Sequence, residues 1–183
     1  TLLHSAKLLE HARDSERFGV RTENVTYDLP AAMQHKTKTI ATLRKGILGQ
    51  FKRHGVEHRS GRGRLLGSGR IAVDDEEIGA SNVLLATGSV AARPPIPGTR
   101  DNPRVVTNRE ILQIEELPRR LVIIGGGYIG MEFASFFSRV GTEVTVIEMT
   151  DEIVPMLDPP TAQSLRSQVS SVTYHLGTCV DAV

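Results

Sequence analysis

Leu2, Leu3, Leu8 and Leu9 recur at helical spacing and predict an amphipathic helix over residues 1–17, ended at Phe18-Gly19-Val20. Asp28-Leu29-Pro30 places an N-cap acid before a first-turn proline and so predicts a second helix. Its apolar stripe is Met33, Ile40, Leu43, Ile47, Leu48 and Phe51, with a weak point at Gly46; it runs to about Arg53, where His54-Gly55 closes it. The period then shortens. Residues 56–59, 64–66, 70–73 and 83–86 are short strand candidates separated by glycines. The run Arg93-Pro94-Pro95-Ile96-Pro97-Gly98 sustains neither helix nor central strand and reads as a linker leaving one domain. Residues 110–116 suggest a short helix ended by Pro118.

From Leu121 onward the pattern simplifies. Residues 121–124 read as a buried strand, 125–130 as a tight turn, and 128–140 as a helix ended by Gly141. Residues 144–148 read as a second buried strand, 161–168 as a second helix and 172–176 as a third strand. Strands alternating with helices imply an α/β fold with a parallel sheet and right-handed crossovers. No repeat or low-complexity tract is evident. Thr1 already begins a helical pattern and residues 179–183 carry no stop signal, so the chain reads as an internal piece of a longer polypeptide.

Composition narrows this picture. With 23% charged and 39% hydrophobic residues, the chain has ordinary globular composition. A formal net charge of +1 gives no overall pull toward nucleic acid or an acidic membrane. No apolar run approaches the roughly 20 residues that span a bilayer. The single cysteine, Cys179, excludes an intrachain disulfide, and a cytoplasmic location is the expectation.

The chemistry concentrates in the GGGYIG run: Gly125, Gly126, Gly127, Tyr128, Ile129 and Gly130. A glycine fingerprint is weak alone, but here a strand delivers the chain into it and a helix leaves it. Gly125 permits the tight turn, Gly127 lets backbone approach a pyrophosphate, and Gly130 lets the helix pack close to the strand. The helix start then offers unpaired N–H groups to phosphate. Glu148 ends the second strand, where an acid would hold the adenosine ribose hydroxyls. That carboxylate would repel a 2′-phosphate, and Met149, Thr150 and Asp151 follow it rather than arginine, so NAD is favoured over NADP. FAD is the competing occupant, because the same fingerprint serves both cofactors.

A further signal lies upstream, where Val83-Leu84-Leu85-Ala86-Thr87-Gly88-Ser89 leads into Pro94-Pro95-Ile96-Pro97-Gly98. This order, followed by GGGYIGMEFA, resembles the flavoprotein disulfide reductase family, and within it the dihydrolipoamide dehydrogenases most. The resemblance covers nearly the whole chain. It implies a partial FAD-binding domain of Rossmann-like type over residues 1–117 and a partial NAD-binding Rossmann-like βαβ domain over 118–183. Thr87, Gly88 and Ser89 would lie beside FAD, with Gly63 near its adenosine part. The glycine run and Glu148 would hold NAD, and Val180 would lie against the adenine. Tyr128 matches an aromatic that shields the nicotinamide pocket, and Glu132 a carboxylate near the nicotinamide amide.

The departures carry equal weight. The family's first glycine fingerprint, its cysteine pair and its C-terminal His–Glu acid–base pair have no counterpart in these residues, so no catalytic residue is assigned. One thiol cannot cycle through an intrachain disulfide. Residues 168–172 are also shorter than the family pattern. The resemblance implies an FAD- and NAD-dependent oxidoreductase that converts dihydrolipoamide to lipoamide. It also implies a lipoamide-bearing partner protein of a 2-oxo acid dehydrogenase complex and a homodimer when full length. Another reductase of the family, such as a mercuric reductase, and a non-catalytic nucleotide-binding remnant remain alternatives.

Other features invite plainer readings. The basic residues between 35 and 64, relieved only by Glu57, read as a solvated face, since no aromatic is interleaved for base stacking except Phe51 on the apolar stripe. The six histidines show no metal-ligand spacing. Cys179 reads as a small buried hydrophobe. Asp151, Glu152 and Asp158 read as solvated loop acids, and Met131 and Phe133 as helix packing.

Overall fold

A computed structural model describes residues 1–183. The chain divides into two compact units, one formed by Thr1–Thr39 with Ala91–Val183 and the other by Ile40–Val90.

In the first unit the order is α1 (Leu2–Arg13), a 3-10 turn (Ser15–Phe18), the start of α2 (Leu29–Arg53), and then the alternating region. That region holds β4 (Arg120–Ile124), α3 (Tyr128–Arg139), β5 (Glu143–Ile147), α4 (Pro159–Gln168) and β6 (Thr173–His175). The strands form a parallel sheet in the order β4-β5-β6, with Leu121 opposite Val144 and Val146 opposite Tyr174. This is the predicted α/β architecture. The segment predicted helical over 110–116 narrows to a 3-10 turn, Ile111–Gln113, and the predicted first helix ends at Arg13.

The core sits between α3 and the sheet. Val144, Val146, Ala134 and Phe137 are essentially inaccessible, and Phe136 meets Phe137 edge to face with centroids 4.9 Å apart. Met131 is buried and Phe133 half-buried against this core. On α1, Ala6 and Leu9 are buried in the same cluster, and Glu10 pairs with Arg139 of α3 at 3.0 Å. Asp28 accepts the Ala31 N–H at 2.9 Å and so caps α2 as its sequence predicts.

β4 departs from expectation. Instead of a fully buried strand, it alternates: Leu121 and Ile123 pack on the core while Val122 is 59% and Ile124 41% exposed. The cause is its place at the sheet edge, where it pairs with β5 alone and is covered on one face. The proline-rich run is likewise no loose linker. Thr99 is 2% exposed, its hydroxyl donates within reach of Pro94 and Ile96 carbonyls, and Arg93 donates to the carbonyls of Thr99 and Val105 at 2.9 and 3.1 Å.

Two acids read as solvated have structural work. Asp158 accepts from the Thr161 N–H and hydroxyl at 3.1 and 3.0 Å, capping α4 ahead of Pro159-Pro160. Glu152 receives two bonds from the Arg166 guanidinium, at 3.0 and 3.1 Å, which lower its pKa although partial burial opposes this. Cys179 is exposed rather than buried, because it follows β6 in an irregular segment.

The second unit holds the rest of α2 and an antiparallel meander of β1 (Gly63–Gly67), β2 (Arg70–Val73) and β3 (Glu76–Gly79). Ser68 and Gly69 both have positive φ, the requirement of the tight turn that joins β1 to β2. The strand predicted at 56–59 is irregular, and β3, unpredicted, completes the meander. The strand predicted at 83–86 is also absent: Leu84 is 91% and Leu85 65% exposed, with no neighbouring strand to take the ladder hydrogen bonds.

Candidate dinucleotide-binding corner

The glycine run forms the corner between β4 and α3. Gly125 has φ +103°, a conformation costly for any residue with a Cβ, and its N–H continues the ladder to the Ile147 carbonyl at 2.8 Å. A Cβ on Gly130 would collide with the Gly125 carbonyl oxygen and lie 3.3 Å from Ile123, so helix and strand close only around glycine. Gly127, in contrast, has open space beside its Cα. It occupies the N-cap of α3 and supplies no side-chain acceptor, leaving the first N–H groups of the helix uncapped.

Gly126 has a different role from its neighbours. It is buried, and a Cβ there would stand 3.1 Å from Ile153 and 3.3 Å from the Glu148 Cβ. Its N–H donates to Glu148 Oε2 at 2.6 Å. The middle glycine therefore lets the strand-end acid close on the corner. Glu148 lies one residue beyond β5 and is 7% exposed. Its Oε1 accepts the Thr150 N–H at 2.9 Å and lies 2.8 Å from the Thr150 hydroxyl. Burial opposes the charge, but the donors from Thr150 and Gly126 outweigh it and hold the pKa below the ordinary carboxylate value. The acid is thus ionised, buried and turned toward the glycine corner.

The remaining assigned residues separate by location. Gly125, Gly127, Tyr128, Ile129, Gly130 and Val180 line one cleft of about 840 Å³. Tyr128 is 63% exposed at its mouth. Glu132 is exposed one turn further along α3, outside that lining. In the second unit Thr87, Gly88 and Ser89 lie in an exposed irregular segment, with Gly88 at φ +73°. Gly63 opens β1 with free space beside it; the close approach falls instead at Gly61, where a Cβ would strike the Asp74 carboxylate. The residue that sequence reasoning passed over is Thr150, noted there only for not being arginine. A hydroxyl two positions after a strand-ending acid is the signal that marks it.

A strand–glycine corner–helix–strand unit with a buried acid against its corner is the arrangement of the Rossmann-like α/β class of folds. The chain belongs to the pyridine nucleotide-disulphide oxidoreductase family, whose profile matches residues 2–183. It is 38% identical to a dihydrolipoyl dehydrogenase of Acholeplasma laidlawii over 162 residues, 86% of this chain and 48% of that protein. It is also 38% identical to the mitochondrial dihydrolipoyl dehydrogenase of Pisum sativum over 164 residues, 86% of this chain and 32% of that protein. Among solved structures, the HOCl-induced flavoprotein disulfide reductase RclA from Escherichia coli superposes with a TM-score of 0.81 at 27% identity, covering 100% of this chain and 39% of that one. The chain therefore spans less than half the length of these relatives.

Proposed function

We propose that the protein is an FAD- and NAD-dependent oxidoreductase of the dihydrolipoamide dehydrogenase type, in which this chain supplies the nicotinamide-nucleotide side. The observation that carries the reading is the Glu148 carboxylate held against the Gly126 N–H beside an uncapped helix start. The two features suit the two parts of one ligand: free N–H groups for a diphosphate and an ionised acceptor for the adjoining ribose diol. A 2′-phosphate would meet a buried negative charge, so NAD is preferred over NADP.

NAD, when bound, supplies the acceptor for a hydride. The residues of this chain bind and orient it: Gly125 to Gly130 approach the diphosphate, Glu148 holds the ribose, and Val180 and Tyr128 border the cleft. The residues matched to the flavin side do not by themselves make a cradle, since Thr87, Gly88 and Ser89 are strung along an exposed segment and Gly63 lies open. FAD enters the proposal through kinship alone. So do a 117-residue contribution to an FAD domain, a lipoamide-bearing partner and a homodimer, whereas a cytoplasmic setting rests on the single cysteine. No helix is long and apolar enough to cross a membrane.

Titration of the protein with NADH and NADPH tests the cofactor reading. NADH should bind at least about tenfold more tightly, a difference of about 1.4 kcal/mol. Equal affinity, or none for either, would refute it.

A further inference from the structure

Thr150 stands between two acceptors. Its hydroxyl lies 2.8 Å from Glu148 Oε1 and 2.8 Å from the Glu152 carbonyl oxygen. A threonine hydroxyl carries one hydrogen, so it satisfies one acceptor at a time. The rest of the turn is fixed around it. The Thr150 N–H donates to Glu148 Oε1, and the Thr150 carbonyl accepts the Gly177 N–H at 2.9 Å. The Glu148 backbone is tied on both sides, its N–H to the His175 carbonyl and its carbonyl to the Thr178 N–H, each at 2.9 Å. The hydroxyl rotor is the soft element in an otherwise tied loop.

An ionised carboxylate offers about four acceptor sites. In Glu148, Gly126 N–H takes one on Oε2, and Thr150 takes two on Oε1 through its N–H and its hydroxyl. The Met149 N–H bears on the same carboxylate, and a ribose diol brings two hydroxyl donors, so at least one acceptor site must be released. We propose that Thr150 is the positioning residue that releases it: when the diol of an adenosine ribose arrives, the Thr150 hydroxyl turns from Glu148 Oε1 to the Glu152 carbonyl. Before binding, the same hydroxyl keeps the buried carboxylate satisfied and aimed. No proton leaves either residue; one O–H rotates. The inference rests on the NAD reading of Glu148 and adds a residue to it.

The test uses AMP, which carries the diol, and 2′,3′-dideoxy-AMP, which lacks it, titrated into the purified protein and followed by NMR or calorimetry. Wild-type protein should prefer AMP. Thr150→Val, which keeps the branched shape without the hydroxyl, leaves that Oε1 site open from the start and should tighten AMP about 3- to 10-fold while leaving dideoxy-AMP unchanged, the size of one hydrogen bond. Thr150→Ser should return AMP to its wild-type affinity. Thr150→Ala serves as the second hydroxyl-free variant if valine distorts the turn. Equal changes for both ligands would reduce Thr150 to a structural role and overturn the proposal, as would unchanged or weakened AMP binding in the hydroxyl-free variants. A wild type that does not distinguish AMP from dideoxy-AMP would remove the ribose role of Glu148 itself, and the Thr150 role with it.

Discussion

The βαβ corner and the exposed segment around Thr87 carry equally recognisable sequence motifs, yet the first is assembled and the second is not. In the corner every partner lies nearby in the chain. β4 finds β5, α3 covers both, and Glu148 reaches Gly126 across a single strand–helix–strand passage. Residues 83–90 have the apolar run of a buried strand, but no strand of this chain lies beside them, and Leu84 stays 91% exposed. A motif names the chemistry of a site, while the neighbouring backbone decides whether the site exists.

The largest expected effect is on turnover. The 183-residue polypeptide should produce no NADH from dihydrolipoamide, since its one cysteine cannot form the intrachain disulfide that such transfer requires. Spectrophotometric NADH formation by these residues alone would break the comparison, because it would mean that the unassembled side is functional. Next comes Gly130→Ala. The added methyl meets the Gly125 backbone oxygen, which cannot swing aside as a side chain could. Destabilisation of about 1–3 kcal/mol is expected from such overpacking, with NADH binding falling in parallel. Denaturant melts and an NADH titration read the two effects separately.

Glu148→Gln sharpens the comparison within the corner. The amide keeps the shape but removes the charge-assisted acceptor for Gly126, so NADH should weaken by about 1.5–3 kcal/mol and the preference over NADPH should narrow. The pH dependence has a definite sign. Glu148 has a lowered folded pKa, so its contribution to stability is present above the unfolded carboxylate value and is lost as pH falls through the folded one. Glu152 and Asp158 shift the same way, through Arg166 and Thr161 respectively. Acid unfolding of Glu148→Gln should accordingly show a smaller drop in stability than wild type over that range. An identical acid profile in the two proteins would mean that Glu148 carries no such linkage.

The region from Leu121 onward was legible to within a residue or two, because strand, glycine corner and helix each announce themselves locally. What escaped was tertiary. Val122 and Ile124 belong to an apolar run that reads as buried, and only the position of β4 at the sheet edge exposes them. β3 was hidden by the two glutamates of Glu76–Gly79, poor strand formers that an edge strand tolerates because its outer face meets water. Asp158 did carry a local signal, an acid directly before two prolines, and its capping role was readable. The bonds that Gly126 and Thr150 make to Glu148 could not be read from spacing alone, since they depend on which way the Glu148 side chain folds back.

The smallest effect belongs to the meander, and it separates two glycines that a motif treats alike. At Gly61 an added methyl would strike the Asp74 carboxylate, which also accepts the Arg62 N–H at 2.9 Å, and would press on Val73 Cγ1 at 2.8 Å. Gly61→Ala should cost about 1 kcal/mol, the loss of one such hydrogen bond as Asp74 moves away. Gly63 has nothing within 4 Å of the same added atom, and its backbone is already a strand. Gly63→Ala should change stability by less than about 0.5 kcal/mol in either direction. Hydrogen exchange across residues 63–79 reads both variants against wild type. Protection lost at Gly63→Ala but kept at Gly61→Ala would show that the close approach in this turn falls at the other glycine.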